Sequence, residues 1–289
     1  MSNKSLSEHI RPIRKEYLDI DEYPTIHVEA PKGNTLDFCG IVHANNPDNP
    51  NDKEMLDRVK QELGDFLSRD SEHEKIVLLE GWRGPQTTMD DLSEDDLVRT
   101  GGEVALADRM ARQAGVEIAS PEPDGKEEFD QLCKEFPADE VFYWYVARQA
   151  VQWGREEAVP SSSQIDEQNQ RRERVQDKFH VLVGKLEDTL GHPASFLETL
   201  GSFELLAETH QRLFKSELDW NDIGHFEAQA NPLDDNSVMN KIHNRSNQIR
   251  DEHIAEIIQK QIHDGKDVFC VYGDGHAYTL EPALLELSK

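Results

Sequence analysis

Two apolar runs of this chain end on the same short pattern. Gly40-Ile-Val-His43 closes "LDFCGIVH" near the start, and Gly273-Asp-Gly-His276 closes "FCVYGDGH" near the end. A glycine at such a point lets the backbone turn sharply or approach a ligand closely. An imidazole left at the mouth of a sheet can act as a base or bind a metal through a neutral ring nitrogen. A strand-end turn with a satisfied histidine explains either motif alone. Two of them, at matching strand ends, point to function.

Two further apolar runs also finish on charge. "KIVLL" ends on Glu80, and "VEIASPEPD" ends on Glu122 and Asp124. A carboxylate entering an apolar setting must be paired, metal-bound or protonated. Arg83, in the "EGWR" turn, is the expected partner of Glu80, with Trp82 packing or walling a pocket. Glu103 in "TGGE" has two readings. Thr100-x-x-Glu103 has the spacing of a capping box, in which Glu103 reaches back to the Thr100 amide; the site reading comes second. Arg250 lies on the apolar stripe of a helix over 238–264, four positions before Ile254 and seven before Ile257. A guanidinium facing a core needs an anion, and Asn247 and Asp251 flank it. His243 shares a face with Asn247, where a surface role is the plainer reading. The remaining histidines lack mutual metal-ligand spacing.

These residues need elements that bring them together. "YPTIHVEAPKGNTLDFCGIVH" reads as a β-hairpin around Pro31-Lys32-Gly33-Asn34. A helix follows, capped by Asp52, with Met55, Leu56, Val59, Leu63, Phe66 and Leu67 on one face. Then come the strand "KIVLLEG", the helix "GGEVALADRMARQAG" and a short strand in "VEIASPEPD". This alternation implies parallel strands with helical crossovers. From about 126 to 235 the pattern turns helical, with an exposed loop around 154–166 and helical segments around 166–190 and 194–219. The chain closes with the strand "DVFCVYG" and a short helix "EPALLEL", with Pro282 near its first turn. The expectation is one α/β domain over 1–289, with a mixed, largely parallel sheet and 126–235 as a helical insertion or lid. Ligands of such sheets bind beyond the carboxyl ends of the strands. His43, Glu80, Glu122, Arg250 and His276 are therefore expected in one cleft.

Composition limits the partners. At 289 residues and a formal charge of −27, the chain is a poor match for nucleic acid or an anionic membrane, which require Lys and Arg. The three cysteines, Cys39, Cys133 and Cys270, form no C-x-x-C pair, and the odd number argues against a disulfide framework. No apolar stretch approaches the length of a bilayer span. A reducing, cytoplasmic setting is expected. There is no P-loop, no G-x-G-x-x-G after a strand, no H-E-x-x-H and no G-x-S-x-G, so no nucleotide cofactor and no serine nucleophile is expected.

The ordered set "GIVH", "VLLEGWR", "GGE", "NQIRDEHIAEII" and "GDGH" resembles the TraB/PrgY–TIKI group, within the wider set that includes erythromycin esterases and ChaN-like proteins. The resemblance implies a hydrolase-like fold with a pocket built from His43, Glu80, Arg250 and His276. TIKI-like members are metal-dependent proteases, whereas erythromycin-esterase-like members use His and Glu to activate water. The expected function is hydrolysis of an amide or ester bond in a peptide or small molecule. His43 would be general base or metal ligand, Glu80 would orient it or complete a metal shell, and His276 would be the second ligand or base. Arg250 would hold a substrate carboxylate or the developing oxyanion. Arg83, Glu103, Glu122, Asn247 and Asp251 are the expected substrate-binding residues. A metal held by His43, Glu80 and His276 would be zinc, manganese or cobalt rather than calcium. The rival readings are a non-catalytic binding or signalling protein that keeps the pocket, and a scaffold that forms homo-oligomers through the helical middle.

Overall fold

The computed structural model describes residues 6–14, 24–156, 202–219, 222–229, 231 and 233–289. The expected exposed loop around 154–166 falls largely outside them. So does the expected helix around 166–190, along with the first part of the one over 194–219.

The protein is α/β, with a five-stranded, mostly parallel mixed sheet. Its strands are β1 (Thr25–Glu29), β2 (Thr35–Ile41), β3 (Lys75–Leu79), β4 (Glu117–Ala119) and β5 (Asp267–Gly273), in the order β1-β2-β5-β3-β4. The hairpin forms as its turn chemistry requires. Gly33 adopts φ 86°, and Ile26 and Val28 of β1 turn inward while their neighbours face solvent. β1 is the antiparallel edge; the pairs β2·β5, β5·β3 and β3·β4 are parallel. The last strand in sequence is thus inserted at the centre. β3 and β5 are almost wholly buried, which accounts for continuous apolar runs rather than alternation.

The chain divides into two compact units, residues 1–122 with 250–289, and residues 123–249. In the first unit, α1 (Pro50–Ser68) and α2 (Glu94–Gln113) cover one face of the sheet. Val59, Leu63, Phe66, Leu106 and Ala111 pack there on Cys39, Val77, Leu79, Phe269 and Val271. The other face carries Ile254, Ala255, Ile258 and Ile262, together with Ala277, Leu280, Ala283 and Leu284 of the last helix, on Leu36, Phe38, Ile76, Leu78 and Cys270. The second unit has its own core around Phe129, Phe142, Trp144, Phe226, Met239 and Ile249. Its helices are α3 (Gly125–Leu132), α4 (Ala138–Glu156), α5 (Phe203–Phe214) and α6 (Ile223–Gln229). Helix α7 (Val238–His263) begins in this unit and runs past the division at Arg250.

Three local expectations change. The α1 cap is Asn49, whose side chain accepts from the Asn51 and Asp52 amides, with Pro50 at the first position. Asp52 instead accepts from the Asn45 and Asn46 amides. Helix α2 starts at Glu94 behind the cap Ser93, earlier than "GGE", and is interrupted at Gly102, which adopts φ 63°. Helix α8 (Asp274–Leu285) begins directly after β5 and places Pro282 in its interior. Proline has no N–H for the Tyr278 carbonyl. The Arg11 guanidinium supplies the missing donor, with Nε 2.6 Å from that oxygen. Among the described residues no helix is long and apolar enough to cross a membrane.

Candidate functional site

The register of β2 against β5 aligns the two Gly-x-x-His motifs. Gly40 lies opposite Tyr272 and Ile41 opposite Gly273. His43 and His276 therefore leave the sheet from the same ends of adjacent strands. Gly40 is required by packing, because a Cβ there would stand 2.7 Å from the Ala277 Cβ and 2.9 Å from Pro24. A Cβ at Gly273 would stand 3.3 Å from Glu80 Oε2, close to the bond that its own amide makes.

Each imidazole is held by a carboxylate through Nδ1. His43 Nδ1 is 2.6 Å from Glu103 Oε1, and His276 Nδ1 is 2.5 Å from Asp251 Oδ1. With each Nδ1 committed to its carboxylate, Nε2 is the ring nitrogen through which either imidazole would exchange a proton. The two environments differ. The His43 side chain is 63% exposed and stands over a Glu103 side chain that is 4% exposed, whereas His276 is 13% exposed. The Glu103 hydrogen bond, opposed by partial burial and helped by the charges of Glu103 and Glu80, raises the His43 pKa to about 9.

Glu103 is not the capping residue that its spacing suggests. Its second oxygen accepts from the Ala44 amide at 3.0 Å, while the Thr100 hydroxyl donates to the Asp96 carbonyl. The Glu103 amide in turn donates to the Ala44 carbonyl at 3.2 Å. The helix had already begun seven residues before Gly101, so no first-turn amide at Thr100 needed a cap. What the "GG" provides is the left-handed backbone at Gly102, where the Ala44 carbonyl would lie 3.3 Å from any Cβ. That close approach seats the 43–44 segment on the helix.

Between the two histidines stands Glu80. Its Oε2 accepts from the Gly273 amide at 2.7 Å and is 3.8 Å from His43 Nε2; its Oε1 accepts from Arg250 Nη2 at 2.9 Å. Burial alone would push its pKa up. The charges of His276, Arg250 and His43, with the Gly273 amide, reverse this and hold it at about 2. Arg250 also binds Glu122 in a fork, Nε to Oε2 at 2.9 Å and Nη2 to Oε1 at 2.6 Å. Against the cost of burial, that fork keeps the Glu122 carboxyl below its usual range and raises the Arg250 pKa further. The Tyr272 hydroxyl donates to Glu122 Oε1 at 2.6 Å.

The expected residues thus separate. His43, Glu80, Glu103, Glu122 and Arg250 form one network in the first unit, and Asp251 with His276 forms a second couple in the same unit. Arg83 does not pair with Glu80; it is exposed on its turn, and the cation bound to Glu80 is Arg250. The turn itself is tied down by Trp82 Nε1 donating to Asp108, at 2.7 Å. Asp124 caps α3, and Asn247 is half-buried on the part of α7 that belongs to the second unit. Two residues of this region carried no expectation. Tyr272 was hidden inside an apolar run, although a hydroxyl one position before the strand-end glycine marks it. Asp274 lies within "GDGH" itself. Burial raises its pKa, opposed by its hydrogen bond from the Gly275 amide and by the charges of His43 and His276.

The donor types suit a divalent metal. Histidines whose Nδ1 is held by a carboxylate are the outer-shell pattern of metal sites. Both Glu80 oxygens already accept bonds, and no group of three or more His, Cys, Asp or Glu side chains among the described residues has metal-site geometry. No family model, curated protein or solved structure matches this chain.

Proposed function

We propose that this centre hydrolyses an amide or ester bond by histidine-activated water, as a TraB/TIKI-like hydrolase would. The observation that carries the reading is the pair of His–carboxylate couples at the ends of adjacent parallel strands, with Glu80 between them.

The two histidines take different parts. With its Nδ1 proton donated to Asp251, a neutral His276 has the lone pair on Nε2 that can take a proton from water. The water oxygen bonds to the carbonyl carbon, and the C=O π pair moves onto the oxygen. Arg250 and the His43 imidazolium stabilise that oxyanion. On collapse the C–O or C–N bond breaks, and the leaving group takes a proton from His43. His43 is a proton donor rather than the base its position first suggests, because Glu103 holds it charged up to about pH 9. Solvent then reprotonates His43 and removes the proton from His276. Glu80, ionised down to about pH 2, fixes Arg250 and the Gly273 turn in place.

His43, Glu80 and His276 are also the residues that would hold a divalent metal, which would supply a polarised carbonyl or a more acidic water. The test is turnover of a panel of esters, anilides and peptides, with and without zinc, manganese or cobalt, beside metal analysis of the purified protein. His276→Ala is expected to lower kcat by roughly a hundredfold or more with folding intact by circular dichroism. A fall in metal content in His43→Ala and His276→Ala would assign the ion to these residues. Absence of turnover by the wild type across the whole panel would favour a non-catalytic binding protein.

A further inference from the structure

We infer that this centre accepts an uncharged acyl group and rejects carboxylate-bearing ligands, because Arg250 is already saturated on its carboxylate-binding edge. The inference rests on the hydrolase reading for its substrate and on the geometry of Arg250 for its selectivity.

A guanidinium recognises a carboxylate through two parallel N–H bonds from a planar fork. In Arg250 that fork belongs to Glu122: Nε and Nη2 both donate to it, and Nη2 donates a second time to Glu80. Nη1 takes no part in these three bonds. Only about a tenth of the side chain is exposed. A ligand that reached Arg250 would find only Nη1 outside these bonds, a geometry that suits a single carbonyl oxygen.

Charge points the same way. Glu80 and Glu122 both bind the one guanidinium, so two carboxylates already share a single cation. Tyr272 reinforces the arrangement by donating to the Glu122 oxygen that Nη2 shares. A second carboxylate brought to Arg250 would meet two like charges at hydrogen-bonding range of the same cation. An oxygen that becomes negative only in the transition state meets the Nη1 donor without a resident charge of its own, so the donor favours the reaction over ground-state binding. The carboxylate released by hydrolysis is expelled by the same field. The overall charge of −27 adds to the exclusion of anions.

The first measurement compares matched esters that differ only at the acyl terminus: methyl, ammonium and carboxylate. The carboxylate ester is expected to have kcat/KM at least about tenfold lower than the methyl ester at low ionic strength, with the gap narrowing as salt is added. Equal or faster turnover of the carboxylate ester would overturn the inference while leaving the hydrolase intact.

The second measurement needs no turnover. Acetamide and acetate are titrated while the His43 and His276 ring protons are followed by NMR. Acetamide is expected to shift them in the wild type and acetate not. Glu122→Gln leaves one carboxylate on the guanidinium, and acetate is then expected to bind. Stronger acetate binding by the wild type than by Glu122→Gln would contradict the inference. If Glu122→Gln does not fold, the wild-type comparison alone decides.

Discussion

Glu103 determines what His43 can do. An exposed imidazole without a partner would titrate near 6.5 and be mostly neutral at physiological pH. The buried carboxylate 2.6 Å from Nδ1 raises it to about 9, and the same ring becomes a donor of protons and of positive charge. Glu103→Gln keeps the shape and removes the charge. The midpoint of the His43 ring-proton titration is expected to fall from about 9 towards 6.5; an unchanged midpoint would show that Glu103 is not its cause. Glu80 makes the opposite shift, and its consequence is for stability. Its folded pKa of about 2 lies below the ordinary 4.5, so the native state binds fewer protons than the unfolded chain between those values. Its contribution is complete above pH 4.5 and is lost as pH falls towards 2. Glu80→Gln removes that contribution, leaves Arg250 with Glu122 alone, and is expected to cost up to about 3 kcal/mol at neutral pH. Urea midpoints of wild type and variant should draw together as pH falls from 4.5 to 2; a constant difference across that range would contradict the assignment.

At the scale of elements, the site depends on backbone that only glycine can supply. Gly102 interrupts α2 at φ 63° and lets the Ala44 carbonyl approach the Glu103 amide. Gly102→Ala puts a side chain into the left-handed region and 3.3 Å from that carbonyl. The expected cost is about 1–2 kcal/mol by chemical denaturation. The His43 titration should also drop, because the loop no longer seats on Glu103. Loss of stability without any change at His43 would separate the helix break from the site. This is where the sequence was hardest to read. "TGGE" has the spacing of a cap and competes with the true start signal, Ser93 followed by Glu94, Asp95 and Asp96, while local spacing does not tell that Gly102 breaks the helix. Helix α8 was likewise misplaced, because Pro282 reads locally as a start. Only Arg11, far away in sequence, reveals how the Tyr278 carbonyl is satisfied without the proline's N–H.

At the scale of the molecule, the parallel sheet was legible because its strands are apolar runs separated by helical periods. The convergence of His43, Glu80, Glu122 and His276 followed from strand ends alone, since every one of those runs must end on the same side of a parallel sheet. Of the division, the start near 126 was legible in the change of pattern and lies close to the observed 123, whereas the return at Arg250 was not, because helix α7 continues through it without a break in pattern. The pairing within the site was only partly so. Arg83 is three residues from Glu80 in sequence, yet Arg250, 170 positions away, is its partner, because the sheet order brings β5 and its neighbours between distant segments.

One measurement bears most directly on the claim that His43 and His276 serve a single centre. It is a double-mutant cycle on kcat/KM for an uncharged ester, using His43→Ala, His276→Ala and the double variant, each checked for folding. Residues that act as a unit are strongly non-additive. The expected result is a large loss in each single variant and little further loss in the double. Losses that simply multiply, or a single variant that retains full activity, would contradict a shared centre.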